Sequence, residues 1–62
     1  MAAEFQAIAL ADFTAEDAAE LSFEKGSVLT ILATTAPEGW YLASNSAGKR
    51  GLVPQELLLR RL

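Results

Sequence analysis

Apolar and polar positions alternate with a period of two along most of this chain. In Phe5–Ala9, residues 5, 7 and 9 share one side and Gln6 and Ile8 the other, which predicts a short strand with an alanine-rich inner face. Small side chains on that face imply a close neighbour. The pattern returns in Leu21-Ser22-Phe23-Glu24, another strand signature, closed by the Lys25-Gly26 turn. Residues 27–34 are rich in β-branched side chains. There Leu29, Ile31 and Ala33 face one way and Val28, Thr30 and Leu32 the other, as expected of a central strand.

Turn residues punctuate the second half of the chain. Ala36-Pro37-Glu38-Gly39 is a turn by composition, Trp40–Ser44 a strand, and Asn45–Gly48 a tight connection to a return strand at Lys49–Val53. Pro54 has no N–H to donate, so it is expected to stop that ladder. Pro54–Leu57 then makes one short helical turn before a last strand at Leu58–Arg61. Thr14–Glu20 could start a helix with Thr14 as N-cap and acids in its first turn. That stretch is barely two turns long, and a loop is the stronger reading. Short strands at this spacing predict a compact antiparallel barrel, a fold that also hides strand edges.

A chain of 62 residues holds one domain, which buries about 60% of the surface its unfolded form exposes. It has no cysteine to supply a disulfide or a thiolate metal site, so apolar packing alone must hold it, and the 52% apolar composition allows that. A net charge of −3 has the wrong sign for phosphate backbones and argues against nucleic acid as a partner. Its apolar runs fall far short of the roughly 18 residues of a membrane span, and no signal peptide opens the chain. The expectation is a soluble, cytoplasmic module that is monomeric when isolated. Residues 1–4 read as an initiator plus linker or an expression scar, and 5–62 as the domain.

The chain has no histidine and no cysteine, which excludes serine-histidine and cysteine-histidine nucleophile systems. A carboxylate pair could act on sugars, but only within a cleft that a single small barrel hardly supplies. Asp12, Glu16, Asp17 and Glu20 also lack the spacing that wraps calcium. No catalytic residue, metal or cofactor is expected. Taken alone, the acidic run is either a solvated loop or a binding surface. The glycines, Gly26, Gly39, Gly48 and Gly51, form no phosphate-cradling loop and read as turns or points of close approach. The single tryptophan, Trp40, could fill a core or offer a flat binding face at a strand start.

Four segments together carry more information than any of these features. ALADF at 9–13, ELSFEKG at 20–26, GWYLA at 39–43 and GLVPQEL at 51–57 resemble, in order and spacing, the defining segments of the Src homology 3 (SH3) domain. The resemblance extends from about Phe5 to Leu62. It implies an all-β, five-stranded barrel of two packed antiparallel sheets with one 3₁₀ turn. It further implies a long RT loop over Phe13–Glu20, an n-Src loop over Thr34–Gly39, a distal hairpin at Asn45–Gly48 and the 3₁₀ turn at Pro54–Leu57. Read with the alternation, it implies a core of Ala7, Ala9, Leu21, Phe23, Leu29, Ile31, Ala43, Val53 and Leu58.

Members of that family typically bind proline-rich segments in the polyproline II (PPII) conformation. Such a ligand is already ordered, so docking costs little entropy, and its rings present flat apolar faces to aromatic side chains. By position, Trp40 separates the pocket for a basic flanking residue from the proline pockets, and Pro54 forms the groove floor. Glu20 stands where the most used RT-loop acid stands, with Glu16 and Asp17 as helpers. Ala11, Phe13, Leu52 and Leu57 complete the implied peptide site.

This groove departs from the family pattern. Tyrosine is usual at the positions of Ala11, Phe13 and Leu57, an aromatic is frequent at that of Leu52, and asparagine often stands in place of Glu56. Each lost hydroxyl bond removes roughly 0.5–1.5 kcal/mol, enough in sum to weaken proline-peptide binding tenfold or more. Two function classes therefore stand: a PxxP-binding module of low affinity that relies on a basic flank, or an atypical surface. The latter would take a folded partner, a non-PxxP peptide or an intramolecular segment. A mainly structural module with no groove ligand is the third reading.

Overall fold

The computed structural model describes residues 4–61, so three of the four proposed linker residues and the final residue of the domain lie outside the described residues. Five strands form in chain order: β1 (Phe5–Ala9), β2 (Val28–Ala33), β3 (Trp40–Ser44), β4 (Arg50–Pro54) and β5 (Leu58–Arg60), with a 3₁₀ turn at Gln55–Leu57. All pairings are antiparallel and the ladder order is β4-β3-β2-β1-β5. β2 is central, as its β-branched sequence predicts. The two expected layers are the halves of this one continuous ladder. Val53 of β4 and Ala9 of β1, three strands apart, share one core cluster, so the ladder must curl. A register shift between Ile31 and Ala33 lies where β2 turns from one half to the other.

The core is Ala7, Ala9, Leu21, Phe23, Leu29, Ile31, Ala43 and Val53, and among the described residues no polar or charged side chain is buried. Eight of the nine expected core residues are thus in place. Leu58 is the exception: it packs against the cluster only half-buried, because β5 is a ladder edge with no neighbour on its outer side.

Two further expectations need correction. Leu21–Glu24 does not form a strand. Phe23 pairs once, with Phe13, while the Leu21 N–H turns to the Leu52 carbonyl, so consecutive residues answer to different elements. Pro54 also does not stop the ladder before it, for it is the last residue of β4 and faces Trp40. The Leu52 N–H bonds the Ala19 carbonyl, away from β3, so two residues on, the missing Pro54 N–H also falls on the side away from β3.

Candidate functional site

The segment from Ala11 to Glu20 is a loop without helix, and its own acids hold it. Glu20 Oε1 accepts the Glu16 N–H at 2.8 Å, and Asp17 Oδ1 accepts the Ala19 N–H at 2.9 Å. Ser22 Oγ takes the Ala15 N–H at 2.8 Å, and Asp12 Oδ1 takes the Lys25 N–H at 2.7 Å, across the neck of the loop. These bonds satisfy backbone donors that no ladder reaches, which is how a long loop keeps one shape. An ionised carboxylate has about four acceptor sites, so Glu20 and Asp17 keep capacity for a cation after spending one oxygen on the loop.

The loop is tied to the barrel at both ends. At its start the Phe13 and Phe23 backbones exchange bonds of 2.8 and 2.9 Å, and at its end Leu52 accepts from Leu21 and donates to Ala19. Gly51 makes that second contact possible. A Cβ at 51 would stand 2.9 Å from the Glu20 carbonyl carbon and the Leu21 nitrogen, so only glycine lets the two backbones meet.

Three surfaces result. Phe13 lies edge-on to Trp40 with ring centroids 6.0 Å apart, and it is backed by Phe23 at 5.5 Å, while Trp40 faces the buried Pro54 across β3 and β4. Trp40 is half-buried, neither core nor free-standing. Secondly, Glu20, also half-buried, bridges to Leu52 through the backbone, which sets the two residues side by side on the rim of β4. Thirdly, the Leu10 N–H donates to the Leu57 carbonyl at 2.7 Å, so Ala11 and Leu57, both half-buried, belong to neighbouring segments. Glu16 and Asp17 are exposed farther out on the loop.

Glu20 thus combines a structural bond with an available charge, and sequence reading alone gave no sign of the first. It also passed over Ser22, whose exposed hydroxyl is indistinguishable by composition from a solvated one, and Leu42, half-buried opposite Leu52. Alternation against the core residue Ala43 was the available signal for Leu42. Two surface hollows of about 320 and 340 Å³ lie beside Ser22–Glu24, and Phe13 lines the second of them.

Comparison with known proteins agrees with this architecture. The family model for the SH3 domain matches residues 8–55. Nephrocystin-1 from Canis lupus familiaris is 44% identical over 77% of the chain, and the adapter protein dreadlocks from Drosophila melanogaster 46% over 82%. The chain spans only about a tenth of the length of these relatives, 8% and 10% respectively. Among solved structures, the C-terminal SH3 domain of myosin IB from Entamoeba histolytica, bound to the EhFP10(GEF) peptide, matches with a TM-score of 0.88. It is 34% identical and both chains are fully covered. The yeast Nbp2p SH3 domain in complex with a peptide from Ste20p reaches 0.89 at 32% identity, over 98% of this chain and 91% of the other. The chain belongs to the SH3 domain family.

Proposed function

We propose that this domain, residues 5–62, is a monomeric cytoplasmic module that binds proline-rich segments in the PPII conformation, with a basic flanking residue held against Glu20. SH3 domains are generally non-catalytic interaction modules, and similar domains have been captured with peptides. The observation that carries the finer reading is the convergence of Phe13, Trp40 and Pro54, with Glu20 held against Leu52, two residues before Pro54 on β4. In this reading the prolines pack on the Phe13–Trp40 edge and on Pro54, with Ala11 and Leu57 flanking. Glu20 attracts the cation, Glu16 and Asp17 add negative potential, and Leu52 supports the cation's methylene stem.

Without tyrosine hydroxyls at 11, 13 and 57, few side chains can bond ligand carbonyls, so affinity rests on apolar contact and charge. Calorimetric titration with a PxxP peptide bearing a flanking arginine, its arginine-to-alanine version and its proline-to-alanine version tests this. The reading requires the first to bind and both changes to weaken it. An atypical surface would leave all three without heat.

A further inference from the structure

The two hollows adjoin, since Ser22, Phe23 and Glu24 line both. The first, of about 320 Å³, shares no residue with the proposed groove. It lies between Ser22–Glu24, the start of β2 and the Asn45–Ala47 end of the hairpin that joins β3 to β4. The core residues Phe23 and Leu29, 8% and 1% exposed, form its floor, and Val28, 39% exposed, stands at its rim. The remaining wall is mostly serine and alanine, side chains too small to close over that floor.

Both walls are fixed before any ligand arrives. On one side the Ser27 N–H donates to the Glu24 carbonyl at 3.0 Å, and the Gly26 N–H to the Ala9 carbonyl at 2.8 Å. On the other, Asn45 Oδ1 accepts the Ala47 and Lys49 N–H groups at 3.0 and 3.1 Å. A site held in this way loses little conformational freedom on binding.

About 320 Å³ is at the low end of ligand pockets, room for one or two side chains of a larger partner. Among the described residues, Glu24 is the one charged residue that lines the first hollow, and Asp12 joins it in the second. No basic residue lines either, Lys25 and Lys49 included. An apolar floor with a negative rim is complementary to an aliphatic side chain that has a cation beside it.

We infer that the first hollow is a second protein-binding site, separate from the Trp40 groove and not dependent on it. It takes a leucine-sized side chain over Phe23, Leu29 and Val28, while an arginine or lysine of the same segment meets Glu24 on the ridge between the hollows. The partner segment needs no proline. One domain can therefore hold a proline-rich segment and a basic, aliphatic one at once.

NMR titration of the labelled domain tests this with three acetylated, amidated peptides, in which leucine and arginine are adjacent or separated by one or two glycines. At least one should shift the Glu24, Val28 and Asn45–Ala47 amides at millimolar concentration and leave the Trp40 indole unmoved. Glycine in place of its leucine should weaken binding about tenfold, and the exposed Glu24→Gln change in the domain about threefold. Silence of these amides with all three peptides at tens of millimolar would overturn the site. So would movement of the Trp40 indole in their place, or binding unchanged by either substitution. Shifts of the same amides on concentrating the domain without peptide would assign the hollow to a second copy, and would overturn it too.

Discussion

Gly51 lies against Leu21 so closely that a Cβ on the glycine would meet the leucine's nitrogen at 2.9 Å and its Cβ at 3.0 Å. The contact is flanked by the bonds from Leu52 to Ala19 and from Leu21 to Leu52, 2.8 and 3.0 Å long. This is where the acidic loop is fastened to β4. Gly51→Ala should cost about 1–3 kcal/mol in urea titration, because the obstructing atoms are backbone and cannot swing aside. Unchanged stability would mean that the loop does not seat here.

The core is small, and three of its eight residues are alanine. Phe23 carries a large share of it, touching Phe13 at 5.5 Å and holding that residue's backbone in place. Phe23→Ala should cost about 3–5 kcal/mol, comparable to the whole stability of a domain this size, and circular dichroism should show an unfolded chain. Retention of a cooperative melt would show that the core lies elsewhere.

Two substitutions separate the two roles of Glu20. Glu20→Gln keeps an acceptor for the Glu16 N–H and removes the charge, whereas Glu20→Ala removes both. Thermal melts should therefore place the glutamine variant near the parent and the alanine variant about 0.5–1 kcal/mol below it. Binding of a basic proline-rich peptide should weaken in both. Raising salt should weaken binding to the parent more than to either variant, since the pair is solvent-accessible.

Ala11, Phe13 and Leu57 carry no hydroxyl, and tyrosine at these positions would add donors along the proposed groove. Phe13→Tyr and Leu57→Tyr together should tighten proline-peptide binding about tenfold, at roughly 0.5–1 kcal/mol for each new bond. A partner that used another surface would be unaffected or weakened, and a pull on affinity in that direction would favour the atypical reading.

Where one face meets the core and the other meets solvent, the chain's period of two made β1, β2, β3 and β4 readable to within a residue or so at each end. Eight core residues followed from the same alternation together with the family resemblance. The Phe13–Glu20 loop was legible in its composition but not in its mechanics. Asp12, Asp17, Glu20 and Ser22 each cap a backbone N–H, a role set by loop geometry and invisible in a list of polar residues. Leu21–Glu24 looked like a strand because its side chains alternate, yet pairing needs a partner that runs alongside, and here Phe13 and Leu52 take one residue each. Pro54 was misplaced for a related reason: its cost depends on which side of the strand its N–H would face. Leu58 failed as a core residue because exposure at a ladder edge is a property of strand order.

The central claim is that the face made by Phe13, Trp40, Pro54 and Glu20 is a working peptide groove. An NMR titration of the labelled domain with proline-rich peptides, with and without a flanking arginine, tests it most directly. The account predicts that the Trp40 indole, Glu20 and Leu57 signals move together, and move farther at equal concentration with the arginine peptides. Silence of all three at millimolar peptide would contradict it.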